Sequence, residues 1–164
     1  MADKDLLAVA TQLGNALRAR DWRMACAESC TGGWVAKVLT DIPGSSAWFE
    51  RGFVTYSDAA KHDLLDVSLA TLETYGAVSE QTARELATGA LSHSPADLGL
   101  AITGIAGPGG GSAAKPVGLV WFAWARRSGT VRVAREQFVG DRAAVRRQAV
   151  LFALQGALQA LMDA

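Results

Sequence analysis

An apolar run at residues 23–28 breaks into Ser29-Cys30-Thr31-Gly32-Gly33 and gives way to a helical pattern from Trp34 to Leu39. No other feature limits the possible folds so much. The run is strand-length, the glycines are turn formers, and a strand passing straight into a helix is the first half of an α/β unit. Ile42-Pro43-Gly44 then stops the helix. Upstream, Leu6, Val9, Leu13 and Leu17 recur at helical spacing between Lys4 and Arg20, so a first amphipathic helix lays that stripe on a sheet. Downstream, Phe49 to Tyr56 reads as a second strand, Asp58 to Leu65 and Leu69 to Thr74 as short helices, and Glu80 to about Leu91 as a helix capped by Ser79. Leu98 to Ile102 resumes a strand, Val117 to Ala125 and Val131 to Phe138 pair around Ser128-Gly129, and Arg142 to Met162 is a last helix capped by Asp141. Early strand-helix alternation asks for parallel strands and the late hairpin for an antiparallel pair. The expectation is α/β: a single-domain α/β/α layered sandwich with a mixed sheet over residues 1–164, its strand order unreadable.

Composition narrows the function. With 50% apolar and 20% charged residues the chain is globular in type, and no apolar run approaches the ~18–20 residues of a membrane span. Sixteen Lys plus Arg balance sixteen Asp plus Glu, so no general field draws in nucleic acid or an anionic bilayer, and neither is expected as a partner. Met1 to Asp5 carries acids where a signal peptide carries bases, which points to the cytoplasm. Cys26 and Cys30, with only His62 and His93 as further soft ligands, make neither a disulfide framework nor a zinc site. No metal and no cofactor is expected. Five tryptophans exceed what one small core readily buries, which predicts exposed aromatics and a homo-oligomer, a dimer first.

The strand-to-helix turn puts Ser29 where N–H groups at a helix start lack partners and sit at the positive end of its dipole, able to hold the oxyanion formed when a serine attacks a carbonyl. Gly32 and Gly33 let a substrate come close. Ser29 or Thr31 acting as a simple N-cap is the competing reading. A serine needs a base, and His62 and His93 both read as solvated surface residues, so a Ser-His-Asp triad is not expected. Lys61, if desolvated, can lose its proton near neutral pH and accept the one from serine. Tyr56 ends a strand just ahead of it, so both can meet at the carboxyl edge of the sheet, where ligands bind in α/β folds. A solvated lysine and a core tyrosine are the ordinary alternatives. From Ile102 to Gly111, past Thr103 and Gly104, five glycines including Gly107, Gly109 and Gly110 can turn backbone N–H groups toward an anion, or can simply be a flexible approach to the hairpin. The segment is neither a Walker A loop nor a dinucleotide fingerprint. Arg142 and Arg146 share a helix face and can grip a phosphate or carboxylate, or form surface salt bridges, although cations there oppose the helix dipole.

Ala27 to Gly33, Pro43-Gly44-Ser45-Ser46, Gly52 to Ser57 with Ala60-Lys61, Gly76 to Ser79, Ile102 to Gly111, Lys115 to Gly118 and Gly140-Asp141-Arg142 together resemble the C-terminal domain family of the competence/damage-inducible protein CinA, over nearly the whole chain. Stand-alone members of that family include nicotinamide mononucleotide deamidases. The resemblance implies metal-independent hydrolysis of the carboxamide of nicotinamide mononucleotide to nicotinic acid mononucleotide and ammonia, feeding NAD salvage. It implies Ser29 as nucleophile, Lys61 as base and Tyr56 as proton relay. Around the substrate it implies Cys30, Thr31, Gly32, Gly33, Thr103, Gly104, Gly107, Gly109 and Gly110, with Arg142 and Arg146 near the phosphate. Arg51, Asp58 and Asp66 depart from residues common in the family, where glycine, asparagine and glycine are usual. Asp58 would favour the charged ammonium of Lys61, which motivates an alternative: a catalytically weak nucleotide-binding or partner-binding module linked to competence and DNA damage. The metal-dependent pyrophosphatase activity of longer members belongs to another domain and is not expected.

Overall fold

The structure, a computed structural model, describes residues 3–163, so Met1, Ala2 and Ala164 lie outside the described residues. Five strands, β1 (Met24–Glu28), β2 (Phe49–Val54), β3 (Leu98–Gly104), β4 (Leu119–Arg126) and β5 (Val131–Gln137), form one sheet in the order β2-β1-β3-β4-β5. The β2, β1 and β3 strands are parallel, and the β3–β4 and β4–β5 pairs are antiparallel. Helices α1 (Lys4–Ala19), α2 (Trp34–Thr40) and α6 (Arg142–Met162) cover one face, and α3 (Asp58–Leu65), α4 (Leu69–Tyr75) and α5 (Glu80–Ser92) the other. The layered mixed-sheet sandwich expected from the sequence is the fold.

Alternation along the strands divides the core unequally. Met24, Cys26, Leu98, Leu100, Ile102, Phe122 and Trp124 face α1, α2 and α6, whereas Ala25, Ala27, Ala101, Ala123 and Ala125 face the α5 side. Small side chains let α5 approach the sheet backbone. A Cβ on Gly99 would lie 2.6 Å from the Ala87 carbonyl oxygen, and one on Gly89 would lie 2.3 Å from that of Leu65.

The tryptophan expectation is corrected by the same kind of packing. Trp48 and Trp124 are buried, and Trp22, Trp34 and Trp121 are half-buried against the two cores. Glycines on the helices open notches for the two largest: Trp48 packs over Gly14, and Trp124 over Gly156 with its indole N–H donating to the Ala153 carbonyl at 3.0 Å. Overflow from the core therefore gives no reason for a dimer. Asp66 ends α3 in the left-handed region at φ 61°, where glycine is at ease and aspartate is among the few others tolerated, and its carboxylate reaches His93 at 2.6 Å. No described helix is long and apolar enough to cross a membrane.

Candidate active site

In this strand order β1 has β2 on one side and β3 on the other. The α2 crossover leaves on one face and the α3–α5 connection on the opposite face, which opens a crevice at the carboxyl ends of the strands. A cleft of about 280 Å³ occupies it. Of the residues singled out in the sequence, Ser29, Cys30, Tyr56, Lys61, Thr103, Gly104, Gly107, Gly109, Gly110 and Arg142 line it. Thr31, Gly32, Gly33 and Arg146 do not.

Ser29 follows β1, and Lys61 comes from the first turns of α3, whose start is fixed by the Ser57 side chain accepting from the Ala60 N–H at 3.0 Å. Lys61 is 1% exposed, among the most buried large side chains of the molecule. Its Nζ donates to the main-chain carbonyls of Thr55 at 2.9 Å and Tyr56 at 3.1 Å, and lies 3.2 Å from Ser29 Oγ. A neutral amine has two hydrogens and one lone pair. With both hydrogens on carbonyls, the lone pair is left facing the serine hydroxyl. Burial pulls the Lys61 amine below the usual lysine value, and this outweighs the opposing charge of Asp58. Cys30, beside the serine, is the stronger nucleophile in principle, but burial pushes its thiol up to about 12, so it stays protonated.

Tyr56 has a different place from the one expected. It is 62% exposed, it serves Lys61 through its carbonyl, and its hydroxyl accepts from Arg142 Nη2 at 3.3 Å. Among the described residues that hydroxyl makes no hydrogen bond to Ser29 or Lys61, so no proton relay through it is in place.

Neither Ser29 nor Thr31 caps α2. The N-cap is Gly33, left-handed at φ 100° and without a side chain to offer. Glu28, buried at the end of β1, takes over: its carboxylate accepts the N–H groups of Val35 at 2.8 Å and Ala36 at 3.1 Å and the Thr31 hydroxyl at 2.7 Å. An acid seven residues before a helix's first free donors is invisible to capping rules, which look one to three residues back. Its only sequence signal is a lone charge closing an apolar strand. Arg146, expected at the substrate, instead donates to the carbonyls of Cys30 at 3.0 Å and Thr31 at 3.3 Å and lies over the Trp34 ring.

The glycine segment behaves otherwise. Arg142 Nη1 donates to the Gly107 carbonyl at 2.8 Å, and Thr103 Oγ1 to that of Ala77 at 2.8 Å. Ile105 N–H is taken by Leu119 and Ser112 N–H by Lys115, but the N–H groups of Ala106, Gly107, Gly109, Gly110 and Gly111 have no acceptor among the described residues. Free main-chain donors beside a guanidinium make a local anion cradle.

Residues 6–161 match the model of the CinA C-terminal domain. The chain is 58% identical over 159 residues to nicotinamide-nucleotide amidohydrolase PncC of Enterobacter agglomerans, covering 97% of each protein, and 57% identical over 155 residues to the Escherichia coli K12 protein of the same name, covering 94% of each. In structure it is similar to the competence/damage inducible protein CihA of Agrobacterium tumefaciens, with a TM-score of 0.95, 46% identity and 98% of each chain covered.

Proposed function

The chain belongs to the CinA C-terminal domain family, and from that premise we propose that it hydrolyses the carboxamide of nicotinamide mononucleotide to nicotinic acid mononucleotide and ammonia, with Ser29 as nucleophile and Lys61 as its base. The relatives at 58% and 57% identity carry the name of this activity, and the chain is an enzyme of their hydrolase class. The Lys61–Ser29 contact of 3.2 Å inside a cage of two carbonyls carries the mechanistic part.

In this mechanism the Ser29 hydroxyl gives its proton to neutral Lys61 as Oγ bonds to the carboxamide carbon. The carbonyl oxygen becomes an oxyanion against N–H donors of the nucleophile turn, and collapse expels ammonia with the proton returned by Lys61. Water then attacks the acyl carbon as Lys61 takes its proton, and collapse releases the acid with that proton returned to Ser29 Oγ. The phosphate of the mononucleotide lies on the glycine-loop N–H groups with Arg142. We place the reaction in the cytoplasm, in keeping with two buried free thiols, and its product in the supply of NAD. The binding-module alternative was motivated by Asp58, and its force weakens because burial outweighs that carboxylate at Lys61.

The test is ammonia release from nicotinamide mononucleotide in the presence of a chelator, by the wild type and by Ser29→Ala. The expected result is turnover by the first and a fall of at least about 10⁴-fold in the second with its melting temperature unchanged. Tight binding of an unconsumed nucleotide by the wild type would favour the binding module instead.

A further inference from the structure

We propose that Arg146 is a positioning residue that holds in place the turn carrying Ser29 and its main-chain donors, without touching the substrate. This rests on the Ser29 reading above. The turn after β1 is closed by the Gly32 N–H donating to the Ser29 carbonyl at 3.1 Å, and a second turn follows from Trp34 N–H to the Thr31 carbonyl at 3.0 Å. In a turn closed between its first and fourth residues, the two central N–H groups have no partner within it. Those are Cys30 and Thr31, and neither has an acceptor elsewhere among the described residues. They are the donors nearest along the chain to the nucleophile.

A trans peptide holds C=O and N–H antiparallel, so the Thr31 N–H is aimed by the Cys30 carbonyl, while the Cys30 N–H is aimed by the Ser29 carbonyl that the Gly32 N–H holds. Arg146 Nε takes the Cys30 carbonyl at 3.0 Å, the only hydrogen bond that oxygen receives among the described residues, so the Thr31 N–H points away from the guanidinium. Nη2 takes the Thr31 carbonyl at 3.3 Å. The fork is held in turn by the Trp34 ring, 5.8 Å from its carbon, and by Gly32, where a Cβ would stand 3.3 Å from Nη2. With Glu28 anchoring the Thr31 hydroxyl and the next two helical N–H groups, the turn is pinned on both sides. Without Arg146 the buried Cys30 carbonyl has no partner, and the peptide between residues 30 and 31 is free to rotate.

Arg146→Ala is expected to lower kcat for the mononucleotide by roughly 10²-fold, the scale of a displaced reacting group, while KM stays within about threefold. Arg146→Lys, which can still donate to one carbonyl, recovers about tenfold of the loss, and added guanidinium partly rescues Arg146→Ala. A KM that rises by tenfold or more with kcat kept would make Arg146 a substrate ligand and overturn the proposal, as would unchanged kinetics. Should Arg146→Ala not fold, the same split in Arg146→Lys decides. A substrate-independent readout separates this from the function itself: the rate at which a fluorophosphonate bonds to Ser29 Oγ with loss of fluoride falls in parallel with kcat. If the wild type is labelled at Ser29 yet releases no ammonia, the substrate assignment fails while the labelling rates of the variants still decide the role of Arg146.

Discussion

Two segments leave the carboxyl ends of adjacent parallel strands and face each other across the cleft, yet they are built on opposite principles. The nucleophile turn after β1 is buried and tied on both sides, by the Glu28 carboxylate and the Arg146 guanidinium. The glycine segment after β3 is exposed from Pro108 to Ala114, and a run of its N–H groups has no partner among the described residues. Preorganised donors act on a developing charge without reorganising, so the tied turn suits the chemical step. The open segment suits an anion that must enter and leave. On the proposed function, chemistry and capture divide between two loops, and the division can be attacked from either side.

The largest effect should come from untying the first. Glu28→Ala strands the N–H groups of Val35 and Ala36 and the Thr31 hydroxyl in a buried site, an expected loss of about 3–5 kcal/mol in urea unfolding. A loss under about 1 kcal/mol would mean that the turn is not held as described. On the open side, Arg142→Ala should raise KM by about 10–100-fold through lost charge-assisted contacts, with kcat within a few-fold. A purely kcat effect would move Arg142 to the chemical side of the comparison. Within the glycine segment two neighbours separate geometry from mere openness. Gly107 has φ +82° and a Cβ there would meet Val117 at 2.5 Å, so Gly107→Ala should cost about 1–3 kcal/mol. No atom of the described residues lies within 4 Å of a Cβ on Gly109, and Gly109→Ala should stay within about 0.5 kcal/mol of the wild type. The smallest change is expected at Thr55, whose buried hydroxyl has no hydrogen-bond partner among the described residues while its carbonyl holds Lys61. Thr55→Val should be neutral or slightly stabilising and leave activity intact, because the main chain does the work there.

Much of this was legible in the chain before any coordinates. Ser79 and Asp141 cap the helices that their positions predict, and the sequence patterns mark every strand and α-helix to within about two residues. Ser29 and Lys61 are brought together across 32 residues as the family likeness implies. What stayed hidden depends on partners distant in sequence. Arg146 lies on the same helix face as Arg142, and spacing alone assigns both to one anion. Only the packing of α6 against β3, β4 and α2 turns one guanidinium to the cleft and the other to the backbone of the turn after β1. Tyr56 was legible as a site residue but not by which of its atoms, since a carbonyl carries no sequence signature. The tryptophans misled for a related reason: a composition count cannot see that Gly14 and Gly156 make room for them.

The proposed role of Lys61 as a neutral amine can be read from the pH dependence of kcat/KM for the mononucleotide. Because the base must be unprotonated, activity is low below its pKa and rises as pH passes through it. Burial lowers that pKa and the Asp58 charge raises it, so the rising limb should have its midpoint below the ordinary lysine value of about 10.4, and Asp58→Asn should shift the limb to still lower pH. A profile that falls across this range, or a rising limb that Asp58→Asn leaves in place or moves upward, would contradict the account.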